Sequence, residues 1–214
     1  MTDAIAAGQH TPASPASPAS PAAPASPAAP ASPAAPASPA APAAPAAPAV
    51  WRAAAGDGDA YWFFDSLMVV RSRQPGWPVI IEATVAPGGG APLHVHADLD
   101  DSFYLVSGQL AMRCGDETFA VEPGAYVALP HGVPHTFRVV GDQPAVMLQV
   151  HADDSFLTFV KAVGQPAAGR TLPADASAMD MDAALKIAAQ TGQPVVGPPM
   201  TDEEAALITG IPSP

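Results

Sequence analysis

Short runs of apolar residues follow one another through the middle of the chain, from Tyr61 to His151. Each run holds about four to ten residues rich in Val, Ile, Tyr and Phe and is bounded by Gly, Pro or Asp, which is typical of β-strands joined by tight turns. The pattern predicts about nine strands, and because no helical periodicity interrupts them it favours an all-β sandwich or barrel. The strands with clear bounds are Tyr61–Val70, Val79–Ala86, Ser102–Val106, Gln109–Arg113, Thr118–Val121, Tyr126–Leu129, Thr136–Val140 and Ala145–Val150.

Beyond the last strand the apolar residues recur at helical spacing instead. A first helix is predicted to begin at an aspartate cap, Asp153 or Asp154. A second fits Ser177–Gln190, and a third begins at Thr201, which opens a capping-box sequence. We therefore expect residues 153–214 to form a helical extension packed on the barrel, where it covers a face of a sheet or makes the contact of a homodimer.

The first 50 residues have a different composition. Thirteen prolines occupy every third position from Pro12 to Pro48, and only Ala and Ser lie between them. Such a segment cannot bury enough apolar surface to offset the entropy of ordering the chain, and its period of three is that of polyproline II. We expect residues 1–50 to be a disordered Pro/Ala/Ser-rich tail and residues 51–152 to be the barrel domain.

Charge and cysteine content exclude several classes of function. The 214-residue chain has a formal net charge of −12 and only eight Lys and Arg residues, which argues against binding to a nucleic-acid backbone. A single cysteine, Cys114, excludes an internal disulfide and a four-thiolate metal site. No apolar run is long enough to cross a membrane, and the first residues lack the features of a secretory signal. We therefore expect a small cytoplasmic protein that binds neither nucleic acid nor a membrane.

Histidines and acidic residues cluster at two places among the predicted strands. His94 and His96 lie two positions apart, so on a strand both imidazoles face the same side. Asp101 follows them, and His135 comes about forty residues later, after a turn. Imidazoles and a carboxylate that converge on one point bind divalent first-row metals. Taken alone, the same residues also fit surface histidines with solvated acidic neighbours.

The spacing of these residues forms two motifs. In the first, five, one, four and six residues separate Gly88, His94, His96, Asp101 and Gly108.

Fifteen residues separate the end of the first motif, Gly108, from the start of the second, Gly124. Here five, one and two residues separate Gly124, Pro130, Gly132 and His135. Together the two motifs resemble those of the cupin superfamily, in the compact spacing of single-domain bacterial cupins of the quercetin 2,3-dioxygenase-like group. The resemblance implies a cupin double-stranded β-helix, a jelly-roll barrel.

The resemblance also implies one divalent transition metal, which could be Fe, Ni, Mn, Co, Cu or Zn, with His94, His96, Asp101 and His135 as its ligands. In the family the acidic ligand is usually Glu and can act as a base, so Asp101 would be both ligand and catalytic residue. Its side chain is one methylene shorter, which withdraws the carboxylate by about 1.5 Å. Either the barrel wall adjusts, or a water bridges the gap, or three histidines hold the metal alone.

Strand parity predicts the lining of a pocket. Phe103 and Leu105 share a strand face with Asp101, and Phe137 and Val139 share one with His135. An apolar cavity with one polar cluster suits a small molecule. Two functions fit: a dioxygenase-like oxidoreductase that acts on a small enolisable or phenolic compound, or a non-catalytic cupin that binds or senses a small molecule.

Three polar residues near the motifs are expected to lie outside the site. Asp100 neighbours Asp101 on a strand and should therefore face the opposite side. His131 is expected in an exposed turn. His151, at the end of the last strand, is expected at the barrel rim or as a helix cap.

Overall fold

The computed structural model describes residues 50–174 and 180–210, and within these ranges it contains twelve strands and three helices. The strands are β1 (Ala60–Phe63), β2 (Ser66–Ser72), β3 (Val79–Val85), β4 (Gly90–His94), β5 (Asp101–Ser107), β6 (Leu110–Cys114), β7 (Glu117–Val121), β8 (Tyr126–Leu129), β9 (His135–Val139), β10 (Ala145–His151), β11 (Gln165–Pro166) and β12 (Val195–Pro199). The helices are α1 (Ser155–Val163), α2 (Met181–Gln190) and α3 (Asp202–Thr209).

The strands form two antiparallel sheets. The larger has seven strands in the order β11-β1-β2-β3-β10-β5-β8, and the smaller has five in the order β12-β4-β9-β6-β7. Many neighbours within a sheet are distant in sequence, as in a jelly roll, where the chain crosses repeatedly between two packed sheets. The predicted all-β jelly-roll barrel with short C-terminal helices is confirmed.

The two sheets share one apolar core. Buried and partly buried residues alternate along β3 and β10, as expected for strands with one face turned inward. Ile81, Leu105 and Met147 of the larger sheet belong to the same buried cluster as Leu110 and Met112 of the smaller sheet. This core fixes the strand register, because a shift by one residue would turn every inward side chain to the other face.

The first predicted strand, Tyr61–Val70, is in fact a hairpin of β1 and β2. Phe63 pairs with Ser66 across a two-residue turn. Phe64 in this turn has a φ of 54°, a left-handed conformation that bulky residues rarely adopt. The prediction missed the turn because Phe64 and Asp65 include no glycine, the residue by which such turns are usually recognised.

The C-terminal segment contains strands as well as helices. β11 pairs with β1, and β12 pairs with β4 at the edge of the smaller sheet. α1 follows Asp154, one of the two predicted caps, and α3 begins at the predicted capping box of Thr201 and Glu204. The prediction missed β12, whose Gly-Pro-Pro sequence lacks the alternation of a strand.

Two expectations concern residues beyond the described ranges. Of the tail expected to be disordered, residues 1–50, all but Val50 lie outside the described residues. The first predicted residues of the second helix, 177–179, also lie outside them. No helix in residues 50–174 or 180–210 is long and apolar enough to cross a membrane.

Candidate metal centre

Three histidines converge on one wall of the barrel. His94 ends β4 and pairs in register with His135, the first residue of β9. His96 follows two residues beyond β4. One ring nitrogen from each of the three lies within 4.8 Å of the others. The ring centroids of His94 and His135 are 4.3 Å apart, and that of His96 is 5.2 Å from each.

The backbone around the histidines holds β4 close to β9. At Gly90, an added Cβ atom would lie 2.1 Å from the carbonyl oxygen of Phe137, so the close approach of the strands requires glycine there. The Thr136 hydroxyl donates to the Ala91 carbonyl at 2.7 Å. Beyond the strands, the Gly132 N–H donates to the carbonyl of His96 at 2.8 Å, which ties the two histidine segments together.

Backbone carbonyls set the tautomer of two of the histidines. Nδ1 of His94 lies 2.8 Å from the Pro92 carbonyl oxygen, and Nδ1 of His135 lies 3.0 Å from that of Val133. Because a carbonyl oxygen only accepts, Nδ1 carries the proton in both rings and Nε2 keeps a free lone pair. Nε2 of His135 is buried without a hydrogen-bond partner among the described residues.

Burial keeps these imidazoles neutral at neutral pH. Burial, with the neighbouring His135 ring, lowers the pKa of His94 to about 4, and burial together with the other histidines lowers the pKa of His96 to about 3. The pKa of His135 is also lowered by burial. Neutral imidazoles with free Nε2 lone pairs are the donors that a divalent transition metal requires, so the cluster fits the metal that the sequence motifs imply.

The carboxylate of Asp101 lies beside this cluster. Its Oδ2 is 3.9 Å from Nε2 of His96, and its Oδ1 accepts a hydrogen bond from the Ser102 N–H at 2.8 Å. Asp101 is not among the residues whose ligand atoms all lie within 4.8 Å of one another. Burial raises the pKa of Asp101 to about 7 and outweighs the Ser102 hydrogen bond, which lowers it.

His151 is a residue of this region that the sequence did not assign. As expected for a rim position, it is the last residue of β10, but it is buried and only 5% exposed. Its Nδ1 lies 3.5 Å from Oδ1 of Asp101, and its ring stacks on Phe156 with centroids 4.6 Å apart. Burial lowers the pKa of His151 to about 4. His151 has the same strand parity as the buried Ala145 and Met147, and this parity is the sequence signal that could have found it.

A cavity of about 410 Å³ is lined by the three histidines and Asp101, and otherwise mainly by apolar side chains. Of the predicted lining residues, Phe103 and Phe137 line the cavity. Leu105 and Val139 do not, since both lie fully buried in the packed core. Strand parity predicted which side chains face the barrel interior. It does not predict where along the barrel axis each side chain lies, and so does not separate the core from the cavity wall. The six phenylalanines in the lining are Phe63, Phe64, Phe103, Phe137, Phe156 and Phe159.

Helix α2 forms part of the cavity wall, which the sequence did not predict. Its residues Met181, Ala184, Leu185 and Ala188 line the cavity together with residues of both sheets. The expected positions of two outer residues agree with the structure. Asp100 and His131 are both exposed, and Nδ1 of His131 lies at hydrogen-bond distance, 2.7 Å, from Oδ1 of Asp100.

The sequence matches known proteins over the barrel strands. Residues 81–151 match the family model of the cupin domain. A quercetin 2,3-dioxygenase of Bacillus subtilis (strain 168) is 27% identical over 88 residues, which cover 40% of this chain and 26% of that enzyme. An uncharacterized protein of Methanocaldococcus jannaschii is 29% identical over 69 residues, which cover 32% of this chain and 55% of that protein. The chain thus spans about a quarter and about half of the length of these two curated relatives.

A solved structure, the cupin domain of Cnp3 from Schizosaccharomyces pombe, is 14% identical and covers 47% of this chain and 74% of its own, with a TM-score of 0.39. The region matched by the family model runs from β3 through β10 and includes all three clustered histidines and Asp101. By this match the chain contains a cupin domain over residues 81–151, and the jelly-roll barrel formed by its strands agrees with that assignment.

Proposed function

We propose that this protein is a metal-dependent, dioxygenase-like oxidoreductase that acts on a small enolisable or phenolic compound. The observation that carries the proposal is the convergence of three neutral imidazoles, those of His94, His96 and His135, on an apolar cavity of about 410 Å³. The name of the Bacillus relative, quercetin 2,3-dioxygenase, supports the same class of substrate.

The three histidines, with Asp101 as a fourth ligand, would hold one divalent transition metal. When bound, such a metal supplies a Lewis acid that polarises an enol or phenol oxygen and lowers the pKa of its proton. The Nδ1 hydrogen bonds of His94 and His135 to backbone carbonyls hold their rings in the orientation that ligation needs.

Asp101 is the residue that we propose to move a proton. Without metal, burial raises the pKa of Asp101 to about 7; a bound cation would lower it and favour the ionised carboxylate, the form that acts as a general base. In its ionised form it accepts the hydroxyl proton of the substrate, and the substrate becomes an enolate or phenolate. His151, 3.5 Å away, keeps one side of the carboxylate out of water.

The aromatic lining of the cavity supports a flat apolar substrate. Phenylalanine rings come from both sheets and from α1, and such walls exclude water and favour aromatic ligands through edge-to-face contacts. The volume is within the range of small-molecule sites.

The second candidate is a cupin that binds or senses the same class of compound without turnover. It is favoured by the position of Asp101 outside the group of three histidines, since a base that does not reach the substrate would leave only binding. Both candidate functions use the same cavity, so oxygen consumption distinguishes them and ligand affinity does not.

The test combines metal binding with oxygen uptake. The purified full chain is loaded in turn with Fe(II), Ni(II), Mn(II), Co(II), Cu(II) or Zn(II), and oxygen uptake is followed with flavonoids, diketones and phenols. His135→Ala should abolish stoichiometric metal binding and oxygen uptake. His131→Ala is the matched control, because His131 is an exposed histidine near the same motif.

We expect uptake with at least one metal in the wild-type protein and in the control. Metal binding and ligand binding without any oxygen uptake would favour the binding protein. Metal binding that survives in His135→Ala would contradict both candidates, since both place the metal on the three histidines.

A further inference from the structure

A fourth buried histidine, His151, lies opposite Asp101 in the larger sheet. His151 is the last residue of β10 and Asp101 the first residue of β5. The two strands pair with Gln149 opposite Phe103, and two residues further along each strand the same register brings His151 opposite Asp101. Residues two positions apart on a strand face the same side, so both side chains share the inward face of Gln149 and Phe103.

The two residues differ in their access to the cavity. Asp101 lines the cavity together with the three clustered histidines, whereas His151 is not part of the lining. The imidazole of His151 is instead stacked on Phe156 of α1, with ring centroids 4.6 Å apart and planes inclined by 29°. His151 therefore lies behind the carboxyl group of Asp101, on the side away from the cavity.

The two carboxyl oxygens of Asp101 have different surroundings. Oδ1 accepts from the Ser102 N–H at 2.8 Å and lies 3.5 Å from Nδ1 of His151. Oδ2 lies on the side of the histidine cluster, 3.9 Å from Nε2 of His96. Rotation of an aspartate carboxyl group about its last bond is only weakly restricted by the side chain itself. The groups that contact Oδ1 therefore decide where Oδ2 points.

Packing alone does not explain a histidine at position 151. Burial of a polar group costs free energy unless the group has a polar partner, and an apolar ring would stack on Phe156 without that cost. Nε2 of His151 is buried and has no hydrogen-bond partner among the described residues, so Nδ1 is the nitrogen through which the ring meets Asp101. His151 is also not one of the three histidines grouped as possible metal ligands.

We propose that His151 is a positioning residue of the metal centre: its Nδ1–H faces Oδ1 of Asp101 and so keeps Oδ2 turned toward the histidine cluster, as a ligand requires. His151 itself does not contact the metal. Groups that hold a ligating carboxylate from behind fix its orientation, and their loss weakens metal binding although every ligand is still present. The inference rests on the proposed function in placing a metal on the three histidines with Asp101 as the fourth ligand.

Two substitutions separate the polar contact of His151 from the packing of its ring. His151→Phe keeps a ring that can stack on Phe156 but has no N–H, and His151→Asn removes the ring but keeps an amide N–H near the position of Nδ1. The full chain, freed of metal by a chelator, is titrated with Co(II), whose visible absorption depends on the number and type of its ligands. We expect His151→Phe to lower the affinity about tenfold or more and to give the Co(II) spectrum of Asp101→Asn. His151→Asn should keep most of the affinity and the wild-type spectrum.

A double-mutant cycle tests whether His151 acts through Asp101. In the Asp101→Asn background, His151→Phe should lower Co(II) affinity by less than about twofold, because the carboxylate that His151 orients is already absent. His131→Phe is the matched control, since Nδ1 of His131 contacts the neighbouring aspartate, Asp100, at 2.7 Å and both are exposed. The control should change neither the affinity nor the spectrum.

Unchanged affinity and spectrum in His151→Phe would overturn the inference, and so would an Asp101→Asn variant that binds Co(II) as the wild type does. An equal loss from His151→Phe in both backgrounds would mean that His151 acts independently of the carboxyl group, and an equal loss in His151→Asn would mean that only the ring packing matters; either result overturns the inference.

Thermal melting shows whether each variant folds, and His151→Leu takes the place of His151→Phe if the latter has no cooperative transition. A wild-type protein that binds no Co(II) would overturn the proposed function together with this inference. Every other contrary outcome overturns this inference alone, because the wild type then still binds the metal.

Discussion

His94 and His135 are register partners in the β4–β9 pair, and their ring centroids lie 4.3 Å apart with the planes inclined by 62°. Two residues 41 positions apart in the sequence are thus brought together by backbone pairing, before any side-chain packing is considered. The third histidine, His96, joins them from the segment beyond β4. The distances between the three histidine rings therefore depend on how closely β4 approaches β9.

Gly90→Ala should disrupt the histidine cluster although Gly90 is not part of it. An added Cβ would lie 2.1 Å from the Phe137 carbonyl oxygen, so β4 must move away from β9 and His94 away from His135. We expect the free energy of unfolding to fall by about 1–3 kcal/mol. We also expect metal affinity to fall about tenfold or more, which is the typical effect of losing a residue that supports a metal ligand. Chemical denaturation and metal titration measure the two effects.

Gly169→Ala is the control for this substitution. An added Cβ at Gly169 would have its nearest contact at 3.9 Å, with the Thr171 hydroxyl, so neither stability nor metal affinity should change. If Gly90→Ala retained the metal affinity of the wild type, the site would not depend on the close pairing of the two strands.

Asp101→Asn should separate the charge of this residue from its shape. Asn keeps the side-chain volume and an oxygen that can accept from Ser102 N–H, but it removes the negative charge. If Asp101 is a ligand, we expect metal affinity to fall about tenfold or more, by comparison with the loss of a supporting carboxylate. Titration with Fe(II), Ni(II) and Zn(II) measures this. Unchanged affinity would show that three histidines suffice, and would leave Asp101 only its role in proton transfer.

The metal-free protein should lose stability in acid, between about pH 6.5 and 4. The pKa values of His94 and His151 are lowered to about 4 and that of His96 to about 3, so over this range the unfolded chain binds more protons than the folded one. Stability from these groups is complete above the ordinary histidine pKa and is lost as the pH falls. Burial raises the pKa of Asp101 to about 7 and also raises that of Asp65. These two carboxyl groups act in the opposite direction but are outnumbered by the buried histidines, since the pKa of His135 is lowered as well.

Denaturation midpoints at several pH values test this prediction. The net change should be on the order of 1.4 kcal/mol per pH unit in the middle of this range. Bound metal should not reduce it, because metal keeps protons off the folded imidazoles and so leaves the unfolded chain binding more protons than the folded one. A metal-free protein that is equally stable at pH 4.5 and pH 6.5 would mean that the histidines are not buried as neutral rings.

Leu105→Ala should affect stability and not ligand binding. Leu105 is fully buried in the core and does not line the cavity, so truncation removes packing and should cost about 2–5 kcal/mol. Val106→Ala, at the neighbouring and 47% exposed position of β5, should cost much less. Urea denaturation measures both. Wild-type stability with altered ligand affinity in Leu105→Ala would contradict this prediction and would indicate that Leu105 lines the pocket.

The sequence determined the fold class and the residues of the candidate metal centre through two kinds of local information. Alternation of apolar residues reflects a backbone whose side chains point to opposite faces in turn, and it located most barrel strands within a few residues of their observed bounds. Motif spacing reflects how many residues a turn and a strand require, and it selected His94, His96 and His135 from the six histidines.

Only the tertiary structure decided which inward residues face the cavity and which groups perturb one another. Leu105 and Phe103 have the same parity, yet one lies in the core and the other in the cavity wall, because depth depends on the opposite sheet. The position of His151 beside Asp101, and of Gln193 in the wall, arises from contacts between segments distant in sequence. Burial by several elements together sets the pKa of Asp101, and such burial cannot be predicted from the sequence pattern alone.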